Sequence, residues 1–159
     1  MRINFVRIEN FRNFKLIEVQ TGSNLVLVGE NKSGKSNFIH ALRLVLDPSL
    51  SDLDRQLDAH DFWDGEEPFK GREIKVIIQL TDFADDPHPD YLPISLLSGP
   101  CLIQTEPHKI AQLTYLYSNT KRLAEPEKSD INDYEPKVYG GNDPTKSINI
   151  REIRKNIPI

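Results

Sequence analysis

The fold of this chain is decided by the eight residues Gly29-Glu30-Asn31-Lys32-Ser33-Gly34-Lys35-Ser36. Their spacing fits G-x-x-x-x-G-K-[ST], the pattern of the phosphate-binding P-loop. Gly29 and Gly34 let the backbone curl so that several N–H groups point at one anion. Lys35 adds a positive charge for the β- and γ-phosphates, and the Ser36 hydroxyl is a ligand for Mg²⁺. The stretch, called the phosphate loop below, therefore predicts a nucleotide site that uses Mg²⁺.

The sequence on both sides of the phosphate loop has the pattern that such a loop requires. Residues 24–28 form a short apolar run of strand length. After the loop, apolar residues recur at the spacing of one helix face, at Phe38, Ala41, Leu42, Val45 and Leu46. Asp47-Pro48 ends this helix. We therefore expect a strand, the loop and a helix in succession, with the positive N-terminal end of the helix at the phosphates.

Two more strands are predicted ahead of the loop. Residues 2–9 alternate, with one side formed by Ile3, Phe5 and Ile8. Residues 15–20 read as a second strand, and the turn at residues 21–23 predicts that it forms a hairpin with residues 24–28. Three strands before the helix indicate an antiparallel sheet added to the phosphate-binding unit.

Antiparallel strands are also predicted downstream, over residues 73–81, 110–118 and 134–139. The last of these is expected at a sheet edge, because Pro136 has no N–H to donate. Ser51 and Asp54 fit an N-cap box and predict a short helix through Asp58.

Loops are predicted where prolines or turn residues cluster. Residues 83–100 contain four prolines and are expected to be mainly a loop, and residues 140–144 are expected to form a turn. The tripeptide Leu97-Ser98-Gly99 is interpreted as part of that loop, since Pro100 follows it. Residues 119–133 are polar and predict an exposed connection.

Composition bounds the classes to which the chain can belong. At 159 residues it is one domain or a piece of a larger one. The net charge is +4 over residues 1–46 and −10 over residues 47–106, so the acidic middle argues against a broad DNA-binding surface there. A single cysteine, Cys101, excludes a disulfide framework and a cysteine metal site and fits a cytoplasmic location. The sequence has no apolar run long enough to cross a membrane.

Hydrolysis of a nucleotide needs a second acidic residue, and the sequence offers weak candidates. Asp82 ends an apolar strand, but polar residues interrupt that strand. Residues 101–106 end in Glu106 and fit less well. The four histidines are scattered without metal-ligand spacing, and His40 is expected to pack or to be solvated.

The N-terminal residues resemble a known group of proteins. Residues 8–14, Ile-Glu-Asn-Phe-Arg-Asn-Phe, together with Gly29-x-Asn31-x-Ser33-Gly34-Lys35-Ser36-Asn37, resemble the start of the ABC-type ATPase heads of RecF, SMC and double-strand-break-repair proteins. Residues 61–65, Asp-Phe-Trp-Asp-Gly, and shorter stretches at residues 46–48, 54–57, 74–76 and 139–141 resemble the overcoming-lysogenization-defect (OLD) family of ATP-dependent endonucleases. The likeness covers most of the chain but only the first part of such a protein.

The resemblance implies a fold, ligands and partners. The fold class is α/β, a P-loop NTPase of the ABC type with an incomplete head, and a mixed sheet whose antiparallel portion packs on the P-loop helix. Residues 1–47 would supply the strands, loop and helix, and residues 48–159 the antiparallel part. ATP with Mg²⁺ would be held by residues 29–37, with Ser36 on the metal and Arg12 near the nucleotide. A solvated Arg12 in the turn is an equally good interpretation.

The resemblance also implies parts that the chain lacks. A signature motif, a Walker B acid and a Toprim nuclease domain belong downstream, and the complete protein would act on DNA as a homodimer. We therefore expect the chain alone to bind ATP weakly and to hydrolyse none, and its uncovered sheet edges predict association. The catalytic residues remain unknown. Two alternatives stay open: a small P-loop kinase or phosphotransferase that uses Asp82 as its metal acid, and a non-catalytic interaction module.

Overall fold

A computed structural model of the chain describes residues 2–22, 25–63, 71–82, 101–121 and 130–145. These residues contain one α-helix and six strands. In chain order the elements are β1 (Arg2–Phe11), β2 (Phe14–Gln20), α1 (Lys35–Leu46), β3 (Ile74–Thr81), β4 (Leu102–Gln104), β5 (Ile110–Asn119) and β6 (Tyr134–Gly140).

The six strands form one sheet in the order β2-β1-β3-β5-β4, and β6 pairs with β5. Every pairing in the described part of the chain is antiparallel. The β1–β2 hairpin closes through Arg12 and Asn13, with Phe11 opposite Phe14. This sheet is the antiparallel portion that the sequence analysis predicted.

One face of the sheet packs against α1 and forms the core. Val6, Ile78 and Leu113 lie side by side on β1, β3 and β5, and Ile8, Val76 and Tyr115 form the next row. All six side chains are fully buried. Helix α1 covers this face with its predicted apolar stripe, in which Phe38, Ala41, Val45 and Leu46 are buried and Leu42 is partly buried. Packing of this stripe therefore fixes the helix that follows the phosphate loop.

The details of β1 differ from the prediction. The buried side of this strand is formed by Val6, Ile8 and Phe11, whereas Ile3 and Phe5 are only half-buried. A register shift between Ile3 and Phe5 and a positive φ of 55° at Asn10 interrupt the alternation twice. Each interruption moves the following side chains to the other face of the sheet.

The predicted strand at residues 24–28 is wrong for the part that the structure describes. Residues 25–30 have no strand pairing, and β2 forms its hairpin with β1 instead. Val26 and Val28 are 77% and 88% exposed, and only Leu27 packs against the core. A strand forms when a neighbour satisfies its N–H and C=O groups, and no described strand lies beside this segment.

The predicted short helix over residues 51–58 is also wrong. Ser51 and Asp54 do exchange the bonds of a capping box, since the Ser51 N–H donates to Asp54 Oδ2 (2.8 Å) and the Asp54 N–H donates to Ser51 Oγ (3.2 Å). A turn follows rather than a helix. In this turn, Arg55 donates to the carbonyl oxygen of Leu44 in α1. The first helical turn after the box is the 3₁₀ segment Ala59–Asp61.

The remaining predictions have clear outcomes. The strands at residues 73–81, 110–118 and 134–139 are confirmed as β3, β5 and β6, and β6 pairs only with β5 in the described part. The turn that begins at Gly140 is confirmed, with a φ of 69° at Gly141. The predicted loop over residues 83–100, including Leu97-Ser98-Gly99, lies outside the described residues, as does most of the connection over residues 119–133.

Candidate functional site

The two glycines of the phosphate loop lie in close contact with neighbouring side chains. Gly34 is the N-cap of α1 and has a φ of 96°, which L-residues rarely adopt. A Cβ atom on Gly34 would lie 2.2 Å from Asn13 Nδ2, and one on Gly29 would lie 2.7 Å from Ser33 Oγ. The backbone of residues 29–34, called the cradle below, is therefore closely packed.

The Lys35 side chain turns back over the loop. Its Nζ donates to the carbonyl oxygens of Gly29 and Glu30, both at 2.6 Å, and to Ser33 Oγ at 3.3 Å. The Ser33 N–H also donates to the Glu30 carbonyl oxygen, at 3.3 Å. The loop thus folds around its own lysine, which places the ammonium group over the cradle.

Helix α1 begins at the phosphate loop without a side-chain cap. Gly34 has no side chain that could accept from the first-turn N–H groups, and the first turn contains no acidic residue. Those N–H groups have no partner within the helix itself, apart from Phe38, whose N–H donates to the Gly34 carbonyl oxygen at 2.9 Å. Together with the helix dipole they favour an anion at this position.

An open cleft of about 500 Å³ adjoins the start of the helix. It is lined by Leu25, Leu27, Lys35, Ser36, Ile39, His40 and Arg43. Lys35 and Ser36 lie at its phosphate-loop end, and Ile39 and the leucines form an apolar wall. The cleft therefore joins the cradle to a partly apolar surface.

The β1–β2 turn is tied to the helix through Arg12. Its Nη1 donates to Asn37 Oδ1 (3.0 Å) and its Nε donates to Asp61 Oδ1 (2.8 Å). The Arg12 N–H also donates to the Asp61 carbonyl oxygen at 2.7 Å, and the guanidinium lies 5.1 Å from the centre of the Phe11 ring. Arg12 is thus half-buried and fixed beside the first turn of α1, which differs from a solvated turn residue. Its contact with a nucleotide stays a prediction.

His40 packs against the same turn. Its ring meets Phe11 edge to face, with the centroids 5.7 Å apart. Burial lowers the pKa of His40, and the nearby Arg12 and Arg43 charges lower it further against an opposing effect of Asp61. The histidine is therefore a partly buried side chain that is mainly neutral at pH 7 and packs against the β1–β2 turn.

Residues 61–63, from the stretch that resembles OLD proteins, lie directly on the hairpin. Phe62 forms an isolated antiparallel bridge with Phe11, and the Trp63 N–H donates to the Asn10 carbonyl oxygen at 3.0 Å. Lys15 Nζ lies 4.8 Å from the centre of the Trp63 ring. The N-terminal motif and this later stretch thus form one structural unit around Arg12.

The C-terminal end of α1 is held by a buried arginine that the sequence did not reveal. Arg55 is 2% exposed, and its guanidinium donates to the carbonyl oxygens of Leu44 (3.0 Å), Asp47 (2.6 Å) and Ser51 (3.1 Å) and also to that of Leu50. These carbonyl groups belong to the end of the helix and the following loop, where a carbonyl oxygen has no N–H donor within the helix.

Two tyrosine hydroxyls attach that loop to the sheet. Tyr115 donates to the Arg55 carbonyl oxygen at 2.7 Å, and Tyr117 donates to that of Leu57 at 2.6 Å. Burial raises the pKa of Tyr117 to about 12, so the hydroxyl stays a donor at any ordinary pH. Both ends of α1 are therefore fixed to the same sheet.

The candidate metal acids lie far from the phosphate loop. Asp82 follows β3 and forms an ion pair with Arg2 (2.6 Å) at the start of β1, whereas the phosphate loop contacts the turn at the end of β1. The length of β1 separates the two, roughly 30 Å at the rise of an extended strand. Glu106 follows β4, which pairs with the Ala111 end of β5, the end that lies beside Leu80. The structure therefore removes the basis for Asp82 as the metal acid of this loop.

The protein ligands for Mg²⁺ are few. The described residues contain no cluster of three or more His, Cys, Asp or Glu side chains that could hold a metal ion. Ser36 is exposed and lines the cleft beside Lys35, so its hydroxyl fits as one oxygen ligand of a cation that is bound chiefly by phosphates.

The other predicted site residues occupy the rim of the loop. Asn31 and Lys32 form an exposed turn, with a φ of 70° at Lys32, and Glu30 contributes its carbonyl oxygen. Sequence reasoning missed Asn13 and Asp61, which position Asn37 and Arg12. Asn13 stands inside the Phe-Arg-Asn-Phe motif, but a turn asparagine gives no signal of such a contact.

Within the described residues, no helix combines the length and the apolar character needed to cross a membrane.

Three comparisons relate the chain to known proteins. The AAA ATPase domain family matches residues 1–154. Endonuclease GajA of Bacillus cereus (strain VD045) is 30% identical over 100 residues, which is 62% of this chain and 16% of GajA. Uncharacterized protein YbjD of Escherichia coli (strain K12) is 38% identical over 81 residues, 51% of this chain and 14% of YbjD.

Shorter similarity extends to RecF. DNA replication and repair protein RecF of Rickettsia conorii (strain ATCC VR-613 / Malish 7) is 42% identical over 43 residues, 26% of this chain and 12% of RecF. The chain thus spans less than a fifth of the length of each of these relatives.

A solved structure shows the same fold. It comes from work on the structural biochemistry of ATP-driven dimerization and DNA-stimulated activation of SMC ATPases. It matches 97% of this chain and 78% of its own, with a TM-score of 0.50 and 16% identity. The likeness confirms the predicted fold class, an α/β ATPase head of the ABC type.

Proposed function

The chain belongs to the AAA ATPase domain family, and from that premise we propose that it binds ATP with Mg²⁺ at residues 29–36. The observation that carries the proposal is the geometry around Lys35. The ammonium group lies over the cradle, next to an uncapped helix start, so positive charge and N–H donors converge at one place.

Each residue of the loop then has a chemical role. The N–H groups of the cradle and of the first turn of α1 would hold the phosphates. Lys35 would exchange its loop carbonyl partners for the terminal phosphates, and Ser36 would supply one oxygen to the Mg²⁺. When bound, the metal neutralises phosphate charge.

We further propose that the chain is the N-terminal ATPase part of an OLD-like, ATP-dependent DNA endonuclease. Two observations support this reading. The relative GajA is an endonuclease, and residues 61–63 of the OLD-like stretch pack on the hairpin that contacts the loop. In the complete protein we expect a homodimer that acts on DNA, with the nuclease chemistry outside this chain, and a cytoplasmic location.

Hydrolysis by this chain alone is not expected. Asp82 is paired with Arg2 at the far end of β1, so it is not placed to hold a metal at Ser36. The same position of Asp82 counts against the alternative of a small P-loop kinase, which depends on that residue.

Binding of a fluorescent ATP analogue, mant-ATP, with Mg²⁺ tests the proposal. Lys35→Ala should lower the affinity about ten- to a hundredfold, since charge-assisted hydrogen bonds contribute about 1.5–3 kcal/mol each. Lys137→Ala is the matched control, because Lys137 is exposed on β6 and should leave the affinity unchanged. Equal affinities for the wild type and Lys35→Ala would contradict the proposed site. No binding by any variant would favour the non-catalytic module instead.

A further inference from the structure

Asn13 brings the β1–β2 turn into direct contact with the phosphate loop. Its side-chain amide occupies the space beside Gly34, where an added Cβ would lie 2.2 Å from Nδ2 and 3.1 Å from Oδ1. Gly34 is buried, although Ser33 before it is exposed and Lys35 after it is only partly buried. The asparagine side chain therefore forms a wall of the cradle at its central glycine.

The same side chain holds the first turn of α1. Asn37 Nδ2 donates to Asn13 Oδ1 at 2.8 Å, while Asn37 Oδ1 accepts from Arg12 Nη1 at 3.0 Å. Both polar atoms of the Asn37 amide are thus engaged by the turn. Since Arg12 is fixed by Asp61, a continuous set of contacts links Asp61, Arg12, Asn37 and Asn13.

The backbone does not explain why an asparagine stands at this position. Asparagine is common in turns because it tolerates a positive φ. In this turn the positive φ values lie at Asn10 (55°) and Arg12 (50°), not at Asn13. The side-chain contacts of Asn13, rather than its backbone conformation, are therefore the feature that distinguishes this position.

We propose that Asn13 is a positioning residue for the phosphate loop: it packs against Gly34 and binds the Asn37 amide, so that the loop and the first turn of α1 keep their shape before a ligand arrives. This inference rests on the proposed function for its consequence, which is a higher nucleotide affinity through a loop that is ordered in advance. The structural part of the inference stands without any nucleotide.

Amide hydrogen exchange of the nucleotide-free chain tests the structural part. Asn13→Ala should raise exchange at the Ser33 and Phe38 amides, which donate to the carbonyl oxygens of Glu30 and Gly34, about three- to tenfold, the effect of losing one hydrogen bond, while β3 and β5 stay protected. Asn13→Asp keeps an oxygen acceptor for Asn37 and should exchange like the wild type. Asn132→Ala is the control, since this exposed asparagine bonds only locally, to Asp130. Unchanged exchange in the loop, or an equal rise throughout the sheet, would overturn the proposal.

Nucleotide affinity tests the consequence. With mant-ATP and Mg²⁺, Asn13→Ala should bind about three- to tenfold more weakly than the wild type, and Asn132→Ala should bind equally. The double variant Asn13→Ala/Asn37→Ala should lose less binding free energy than the sum of the two single variants, because both changes break the same Asn13–Asn37 bond. If the wild type binds and Lys35→Ala does not, but Asn13→Ala binds like the wild type, this inference fails while the proposed function stands. If the wild type does not bind, the proposed function fails and the exchange data still decide the role of Asn13.

Discussion

Helix α1 separates two regions of opposite character. On its sheet side, Phe38, Ala41 and Val45 are buried, and the helix packs against β3 and β5. On its cleft side, Ile39 is 49% exposed, and the approach to the phosphate loop carries the exposed Val26 and Val28. The sheet side is a packed hydrophobic core. On the cleft side, by contrast, no element in the described part of the chain packs over these apolar side chains.

The contrast shows where the phosphate loop obtains its rigidity. The sheet side supplies the turn contacts at Asn37 and the carbonyl bonds of Arg55, which fix both ends of the helix. The cleft side supplies Lys35 and Ser36 for chemistry but little packing. On the proposed function, stability and ligand binding would depend on different faces of one helix, and substitutions on the two faces should have different effects.

The largest difference in stability is expected between substitutions of Phe38 and Ile39, which are adjacent in sequence but lie on opposite faces of α1. Phe38→Ala should lower the free energy of unfolding by about 3–5 kcal/mol, because it leaves a cavity under the helix. Ile39→Ala should cost less than about 1 kcal/mol, because that side chain already meets solvent. Urea unfolding followed by circular dichroism measures both. Similar losses for the two variants would show that the cleft side is covered after all.

The second largest loss of stability is expected when the buried Arg55 is replaced. Arg55→Met leaves buried carbonyl groups at the end of α1 without their donor, and we expect a loss of about 2–4 kcal/mol in the same unfolding experiment. Arg43→Met is the control, since Arg43 is exposed and pairs with Asp47 on the surface, which is worth about 0.5 kcal/mol. Equal stability of Arg55→Met and the wild type would mean that water replaces the guanidinium.

Replacing exposed apolar residues near the cleft by polar ones should change the self-association of the chain and leave its folding stability unchanged. The double variant Val26→Ser/Val28→Ser should alter the free energy of unfolding by less than about 0.5 kcal/mol, because both side chains are exposed. It should lower self-association, measured by sedimentation velocity, at least about fivefold. Leu53→Ser is the control, since Leu53 is 86% exposed but stands among polar neighbours. Unchanged association in the double variant would place the contact surface elsewhere.

The smallest effect concerns pH at the boundary between the two faces. Burial holds the pKa of His40 below its ordinary value of 6.5, so between these two values the unfolded chain binds a proton that the folded chain does not. The stability should therefore fall as the pH drops from 7.5 through 6.5 and level off below the folded pKa. His40→Gln should remove this part of the pH dependence of the urea midpoint, and the exposed His60→Gln should keep it. Parallel profiles for the wild type and His40→Gln would refute this assignment.

Sequence patterns predicted the elements whose stability comes from their own periodicity. The face of α1 and the alternation of β3, with Ile74, Val76, Ile78 and Leu80 buried, follow directly from residue spacing. The buried side of β1 was predicted in part, because the backbone irregularities near Ile3 and at Asn10 leave no mark on the apolar pattern.

Other features depend on partners that are distant in the chain. A strand at residues 25–28 needs a neighbour, and apolar composition cannot say whether one is present. The capping box of Ser51 and Asp54 formed without its helix, because Arg55 bonds to carbonyl groups of α1 instead. The residues of the phosphate loop were identified by their spacing, but their contacts with Asn13 and, through Arg12, with Asp61 involve residues roughly 20 and 30 positions away, which the spacing does not indicate.

The bonds of Lys35 to its own loop have a kinetic consequence. The carbonyl oxygens of Gly29 and Glu30 accept from Lys35 Nζ and are intramolecular competitors for the ammonium group, present at a high effective concentration. On the proposed function, a polyphosphate would have to displace these carbonyl oxygens, so Lys35 would exchange one set of partners for another. Association should then proceed in two steps, a rapid encounter at the helix start followed by a slower exchange at Nζ. Lys35 would thus also determine the rate at which the phosphate loop binds its ligand.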